Sequence, residues 1–361
     1  MEVLMAILIA VAVPPQGHGP ASEVRTHADA ILAKQLPDGA IVHTQKGDEI
    51  QISPYFGSYS ALGLFEAYRV TADKKYLDGA VAWTDWYLEH MDVSGMVSDY
   101  KGTREKYSPI QTMDPTDSYP AIFLMCANVR RALTNDWRFV VREKPRLWKT
   151  YCVMMSTADV DGLTYARAGF PYKLTADNAE VYEALWHAKQ LAHELRAYQW
   201  NEEIYYARRK IKKAFEGLRG PNGLYAWRMG SAAGTPTVET GDFYPVGLAS
   251  LAAVEMGPVG VHKGAETVRR AYETYPDLDK CDADQLYWWI MAARRVHRND
   301  IASKAIALMR TKVDERSLAL DHALYICALT NWTRAEGMRP AKAHRPIMGS
   351  TFIDVPKQAF R

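Results

Sequence analysis

The stretch Asp114-Pro115-Thr116-Asp117-Ser118-Tyr119-Pro120-Ala121 opens an apolar helical run. A second stretch, Thr175-Ala176-Asp177-Asn178-Ala179-Glu180-Val181-Tyr182, does the same. Each puts carboxylates and a tyrosine where a helix begins. Weaker versions stand at Gly241-Asp242-Phe243-Tyr244, at Asp282-Ala283-Asp284-Gln285-Leu286-Tyr287-Trp288 and at Leu320-Asp321-His322. Pro54-Tyr55-Phe56-Gly57-Ser58-Tyr59 is an earlier copy without the acid. These six read as equivalent positions in a repeated architecture.

Working outward, apolar spacing of three and four residues predicts helices over 24–35, 55–71, 73–91, 117–134, 136–157, 177–199, 201–218, 242–256, 262–275, 282–297, 300–312 and 320–335. They alternate in character. Those beginning at 55, 117, 177, 242, 282 and 320 are apolar nearly all round, as in Ala61-Leu62-Gly63-Leu64-Phe65. The others carry charge on one face, as in Arg208-Arg209-Lys210-Ile211-Lys212-Lys213. A helix apolar all round is buried and a one-sided helix lies at the surface, so the alternation describes two concentric rings.

The connections repeat too. Asp38-Gly39, Ser94-Gly95, Asp161-Gly162 and Asn222-Gly223 lie between a surface helix and the next buried one. Each is followed by an apolar residue suited to a turn and short strand. The recurrence at roughly 60-residue intervals in the first four units is a repeat signature, and the last two units are shorter, about 40 residues. Long links at one end and tight ones at the other, such as Thr71-Ala72-Asp73, place the working face at the long end.

The composition agrees with a large-cored globular chain. Of 361 residues, 48% are hydrophobic and 24% charged, and the net charge of +2 gives no electrostatic argument for nucleic acid. The four cysteines, Cys126, Cys152, Cys281 and Cys327, form no Cys-x-x-Cys pair and read as free core thiols rather than disulfides. No His-Glu-x-x-His, no Gly-x-Ser-x-Gly elbow and no phosphate-cradling glycine loop appears, so neither a metal nor another cofactor is expected.

At the front, Val3–Val13 is an unbroken apolar run too short to span a bilayer. It suits a secretory signal cleaved after Ala21, although Glu2 stands where a basic residue is usual. The expected organisation is a signal at 1–21, one domain over 22–335 and an extension over 336–361. The expectation is a periplasmic or extracellular monomer with no integral membrane segment after signal removal. Without cleavage the protein is cytoplasmic.

Six helical hairpins with acids and aromatics at the inner-helix starts resemble the six-hairpin glycosidase superfamily, the (α/α)6 toroids. The resemblance rests on that architecture over roughly Val24 to Arg334. It also rests on Thr116-Asp117-Ser118-Tyr119 and on Asp177-Asn178-x-Glu180-Val181-Tyr182. It implies an all-α toroid acting on carbohydrate, as hydrolase, lyase or epimerase, since the fold alone does not choose the chemistry.

Glycoside hydrolysis needs two carboxyl groups across the scissile bond. Asp117 and Asp177 begin successive inner helices, and packed helices lie about 8–10 Å apart. Their side chains thus fit the roughly 6.5–9.5 Å spacing of an inverting hydrolase, which makes them the expected catalytic pair. Each is also explained as a helix cap, because Asp is a preferred N-cap. Asp114, Asn178, Glu180 and Asp242 are the supporting polar candidates, and Glu180 alternatively completes a capping box. Tyr55, Tyr59, Tyr119, Tyr182, Tyr244 and Trp288 are candidate sugar platforms, core filling being the alternative for each. Tyr165 and Tyr172, on the loop before Asp177, are placed to close over a ligand. His322 beside Asp321 keeps an epimerase open, a single Arg such as Arg167 keeps a lyase open, and a non-catalytic glycan binder is the reading from a different class.

Overall fold

The computed structural model describes residues 20–111, 115–230 and 241–330. Six inner helices form a closed ring: α2 (Pro54–Thr71), α4 (Ser118–Thr134), α7 (Thr175–Glu194), α9 (Leu248–Glu255), α11 (Ala283–Arg295) and α13 (Ala319–Thr330). Each packs on the next, and α13 returns to pack on α2. The outer ring is α1 (Pro20–Ala33), α3 (Lys74–Glu89), the pair α5 (Trp137–Arg142) and α6 (Lys144–Met154), α8 (Tyr198–Leu218), α10 (Val261–Thr274) and α12 (Asn299–Lys312). The expected all-α toroid of six hairpins is therefore the observed fold.

Burial explains the alternation. All eight residues of α9 are buried. In α10 only Gly264, Thr267, Val268 and Ala271 are, one stripe facing the ring. Closure of the inner ring demands close backbone approach. A Cβ added at Gly63 of α2 would lie 2.6 Å from the Cα of Ala323 in α13, so no larger residue fits there without displacing a helix.

The recurring glycine turns are one structure used four times. Leu36, Asp92, Asp159 and Gly220 each donate their N–H to the carbonyl four residues on, at 2.7–2.9 Å. At Gly162 the backbone has φ +89°, a region open to glycine. A Cβ there would also strike the Lys210 side chain of α8 at 2.5 Å.

Two sheets wall the long-loop end. Strands β1 (Thr44–Lys46), β2 (Glu49–Ile52), β3 (Asp99–Gly102) and β4 (Tyr107–Gln111) form an antiparallel meander. Strands β5 (Tyr172–Leu174) and β6 (Arg228–Gly230) form a two-stranded ribbon. Strand β2 feeds α2 and β5 feeds α7, so these ribbons aim the inner-helix starts.

Two expected helices are divided or start late. The helix expected over 136–157 divides at Glu143, because Pro145 cannot donate the N–H that would continue α5 and is instead accepted in the first turn of α6. The helix expected from 242 is regular only from Leu248. Before it runs a π-turn over Phe243–Gly247 with Tyr244 non-helical, where Pro245 again removes a donor. The last helix is described to Thr330; its expected continuation, the expected extension and residues 1–19 of the expected signal lie outside the described residues. Residues 20 and 21 begin α1. All four cysteines are free, three of them buried. Among the described residues no helix is long and apolar enough to cross a membrane.

Candidate active site

The inner-helix starts converge at the sheet-walled end, and α7 carries most of the site. The ribbon anchors its first residue: Thr175 donates its N–H to the Trp227 carbonyl at 2.9 Å, and its hydroxyl donates to the Ala226 carbonyl. Just upstream, buried Lys173 pairs with Asp159 at 2.7 Å and Asp161 at 2.8 Å, pinning β5 to the preceding turn. That frame fixes Asp177 in the first turn of α7, where the positive end of the helix dipole favours a carboxylate. Asp177 is part-exposed. Glu180 follows three residues later on the same face, deeper in the ring.

Glu180 is 2% exposed. Its Oε1 accepts hydrogen bonds from two tyrosines of α2, the Tyr55 hydroxyl at 2.7 Å and the Tyr59 hydroxyl at 2.6 Å. Helices α7 and α2 are not ring neighbours, since α4 stands between them, so this triad reaches across the ring and floors the central funnel. Burial raises the Glu180 carboxyl to about 7, the Asp117 charge adding to it and the two tyrosine bonds and the Ser118 hydroxyl offsetting part. Burial and the Glu180 charge in turn push both phenols well above their usual range.

A third acid enters from the far side. Asp284 lies in the first turn of α11 and keeps an exposed edge, while its carboxyl sits deep among protein atoms. Burial raises it to about 7. The charges of Asp282 and Asp321 add to the rise, and the side chain of Trp288 opposes it. Asp177 and Asp284 both act on the same two tyrosines. After burial and Glu180, they are the charges that raise the Tyr55 phenol. After burial, they are the charges that raise Tyr244 at the mouth. Asp177 and Asp284 stand in the first turns of two inner helices, α7 and α11.

Asp117 is placed differently. It is 0% exposed and is the N-cap of α4, accepting from Ser118 N–H at 2.9 Å and from the Thr164 hydroxyl at 2.6 Å. Thr164 also donates its N–H to Asn178 Oδ1 at 2.8 Å, while the Asn178 amide donates to the Thr164 and Leu174 carbonyls, both at 2.9 Å. Asp117 and Asn178 are thus tied through one turn residue. The same device recurs one unit later, where Tyr225 donates its N–H to Ser250 Oγ at 2.9 Å.

The remaining expected residues divide by what they face. Tyr244 is 62% exposed at the rim. Buried Trp288 packs by Tyr287, ring centroids 5.5 Å apart. Tyr119 is buried; its ring stacks on Tyr55 at 5.6 Å, and its hydroxyl accepts from Ser53 and donates to Asp99. Tyr182 is turned to the outer ring, where the Arg208 guanidinium of α8 lies 4.3 Å from its ring. Asp242 is exposed and makes no capping bond. Asp114 lies outside the described residues. Tyr165 donates to Asp159 at 3.0 Å, and Tyr172 packs under the Arg228 guanidinium at 4.4 Å. His322 is buried 2.8 Å from the His27 ring nitrogen of α1, away from the funnel, and burial with the His27 charge lowers it to about 4.

Asp284 is an acid in the first turn of an inner helix that sequence reasoning did not single out. The signal was present, an acid in the first turn of an apolar helix, but it was read only as a weak repeat of the motif. Among the described residues no cluster of His, Cys, Asp or Glu is arranged to hold a metal ion. A narrow apolar crevice of about 10 Å³, lined by Leu147, Trp148, Leu191 and Trp200, lies near the other end of α7 and has room for about one water.

No family model matches the chain, and no curated protein matches it. Solved structures do. The chain shares the fold of six-hairpin glycosidase-like proteins. It resembles an α-amylase from Clostridium perfringens at 12% identity, with 88% of this chain and 100% of that one covered and a TM-score of 0.61. A mannosylglycerate hydrolase from Thermus thermophilus, solved with glucose, matches at 12% identity, 85% and 99% coverage and a TM-score of 0.61. An unsaturated glucuronyl hydrolase specific for heparin matches at 11% identity, 88% and 97% coverage and a TM-score of 0.60. At these identities the likeness concerns the fold.

Proposed function

We propose that the protein is a glycoside hydrolase whose catalytic pair is Asp177 and Asp284. The observation that carries this reading is that both acids stand in the first turn of an inner helix, α7 and α11, at the end where Tyr55 and Tyr59 meet Glu180. Asp284, raised to about 7, is a carboxylic acid still largely protonated below neutrality and suits proton donation to a leaving glycosidic oxygen. Asp177, in the first turn of α7 with a part-exposed side chain, suits the carboxylate that activates water. Helices α7 and α11 are separated in the ring by α9. The mechanism proposed is the inverting one, with a water between the two carboxyl groups. Tyr55 and Tyr244 supply aromatic surface for sugar rings. The neighbouring structures named as glycosidases support this class.

We give Asp117 the capping role, since its carboxylate accepts from Ser118 N–H and the Thr164 hydroxyl at the start of α4. The epimerase alternative loses its histidine, since His322 faces α1. A purified preparation incubated with a glycan panel should release reducing sugar from at least one member. Asp177→Asn and Asp284→Asn should each abolish that release while the protein stays folded. Unchanged turnover in either variant removes that residue from the mechanism.

A further inference from the structure

The Glu180 triad does more than fill the funnel floor. A phenol has one proton and two lone pairs. Tyr55 and Tyr59 both direct their single proton to the same oxygen of Glu180, at 2.7 and 2.6 Å. Neither proton is then available to a ligand. The Tyr55 ring is held in place on three sides: stacked on Tyr119 at 5.6 Å, edge-on to Tyr59 at 5.3 Å and edge-on to Phe56 at 5.2 Å. Tyr119 is itself fixed by Ser53 and Asp99. So the Tyr55 oxygen has one orientation, with its lone pairs as its only free hydrogen-bonding capacity.

We infer that Glu180 is a positioning residue that makes Tyr55 an obligate hydrogen-bond acceptor, so that the funnel floor selects a sugar bearing a free hydroxyl at the position that meets Tyr55. This deepens the hydrolase reading and rests on it. The selectivity has a physical basis. A deoxy sugar leaves the buried Tyr55 oxygen without its donor. An O-methylated or O-acylated sugar lacks the proton and adds bulk against a ring that three neighbours keep from moving. A site built around a fixed polar group rejects analogues that cannot pair with it. If Glu180 is replaced by an apolar residue, the Tyr55 proton is released, and the same oxygen becomes a donor as readily as an acceptor. Selectivity is then lost, even though Tyr55 is still present.

The test is titration calorimetry of the full chain with methyl glucoside, methyl galactoside and methyl mannoside, each with its monodeoxy and mono-O-methyl series. The wild type should bind at least one parent glycoside. It should lose about tenfold in affinity for the deoxy and O-methyl analogues at a single ring position, the worth of one hydrogen bond to a buried partner. Tyr55→Phe should bind parent and deoxy sugar alike. Glu180→Leu should lose the discrimination, and Glu180→Gln, whose carbonyl still accepts from both phenols, should restore it, which a purely structural role for Glu180 would not do. Circular dichroism identifies any variant that fails to fold; should Glu180→Leu do so, the Tyr55→Phe result decides alone. If a parent glycoside binds and Tyr55→Phe keeps the full discrimination, this inference is overturned while the hydrolase reading stands. If no glycoside binds the wild type, both are overturned.

Discussion

Asp117 and Asp177 start successive inner helices of the same ring and differ by three residues of register. Asp117 precedes the first turn of α4 as its N-cap, and its carboxylate turns back onto Ser118 N–H and the Thr164 hydroxyl. Asp177 is the third residue of α7, past the cap, and its side chain leaves the helix on the face that leads down to Glu180. A three-residue shift is nearly one helical turn along the axis, so the two carboxylates meet different neighbours. Residue type and helix start alone do not say what a carboxylate touches. Register relative to the cap was the missing quantity.

The sharpest way to break this contrast is to neutralise both acids. Asp177→Asn should lower turnover by about 10²–10⁴, the usual worth of an acid–base group, with stability within about 0.5 kcal/mol of wild type. Steady-state kinetics and thermal melts on the same preparation check it. A destabilised but fully active variant would exchange the roles assigned to the two aspartates.

The partner acid adds a pH signature. Asp284 must be protonated to donate, and burial sets it near 7. Activity should therefore fall about tenfold per pH unit above that value. A profile of kcat/KM flat from pH 7 to 9 would remove Asp284 as the acid.

Next in size is the floor. Glu180 titrates near 7 in the native state against 4.5 for a free carboxyl. The native form then holds more protons than the unfolded chain between those values, so stability falls as pH rises through the window. The loss approaches about 3 kcal/mol by pH 8 for this one group. Glu180→Gln should flatten that part of the stability–pH curve in urea titrations at pH 5 and pH 8. An unchanged slope would mean that Glu180 ionises normally.

The smallest effect is the structural counterpart of the first. Asp117→Ala removes a cap and the nearer acceptor of the Thr164 hydroxyl, which keeps Asn178 Oδ1 at 3.1 Å, and should cost about 1 kcal/mol. Turnover per folded molecule should stay within a few-fold of wild type, measured after correcting for the folded fraction.

Much of the architecture was legible in the chain because its signals are local and repeated. Periodicity separates α9, apolar all round, from α10 with its single stripe, and the glycine turns at Gly39, Gly95, Gly162 and Gly223 mark equivalent links. The break at Glu143 and the late start of α9 were missed although Pro145 and Pro245 stood in view. Each proline was absorbed into an otherwise regular apolar pattern. In the site, Asp177, Glu180, Tyr55 and Tyr59 were legible as residues at helix starts. Their grouping was not: Tyr55 and Glu180 are 125 residues apart and meet across a helix that belongs to neither.

Hydrophobic period and turn chemistry, read from the sequence alone, determined two rings of helices with a working face at the long-loop end, since both depend on near neighbours in the chain. Which phenols lock onto Glu180 and which groups hold the Asp117 carboxylate were decided by the tertiary structure. Burial and hydrogen bonding between distant segments set the orientation and ionisation of each group, and neither is encoded in any one stretch of residues.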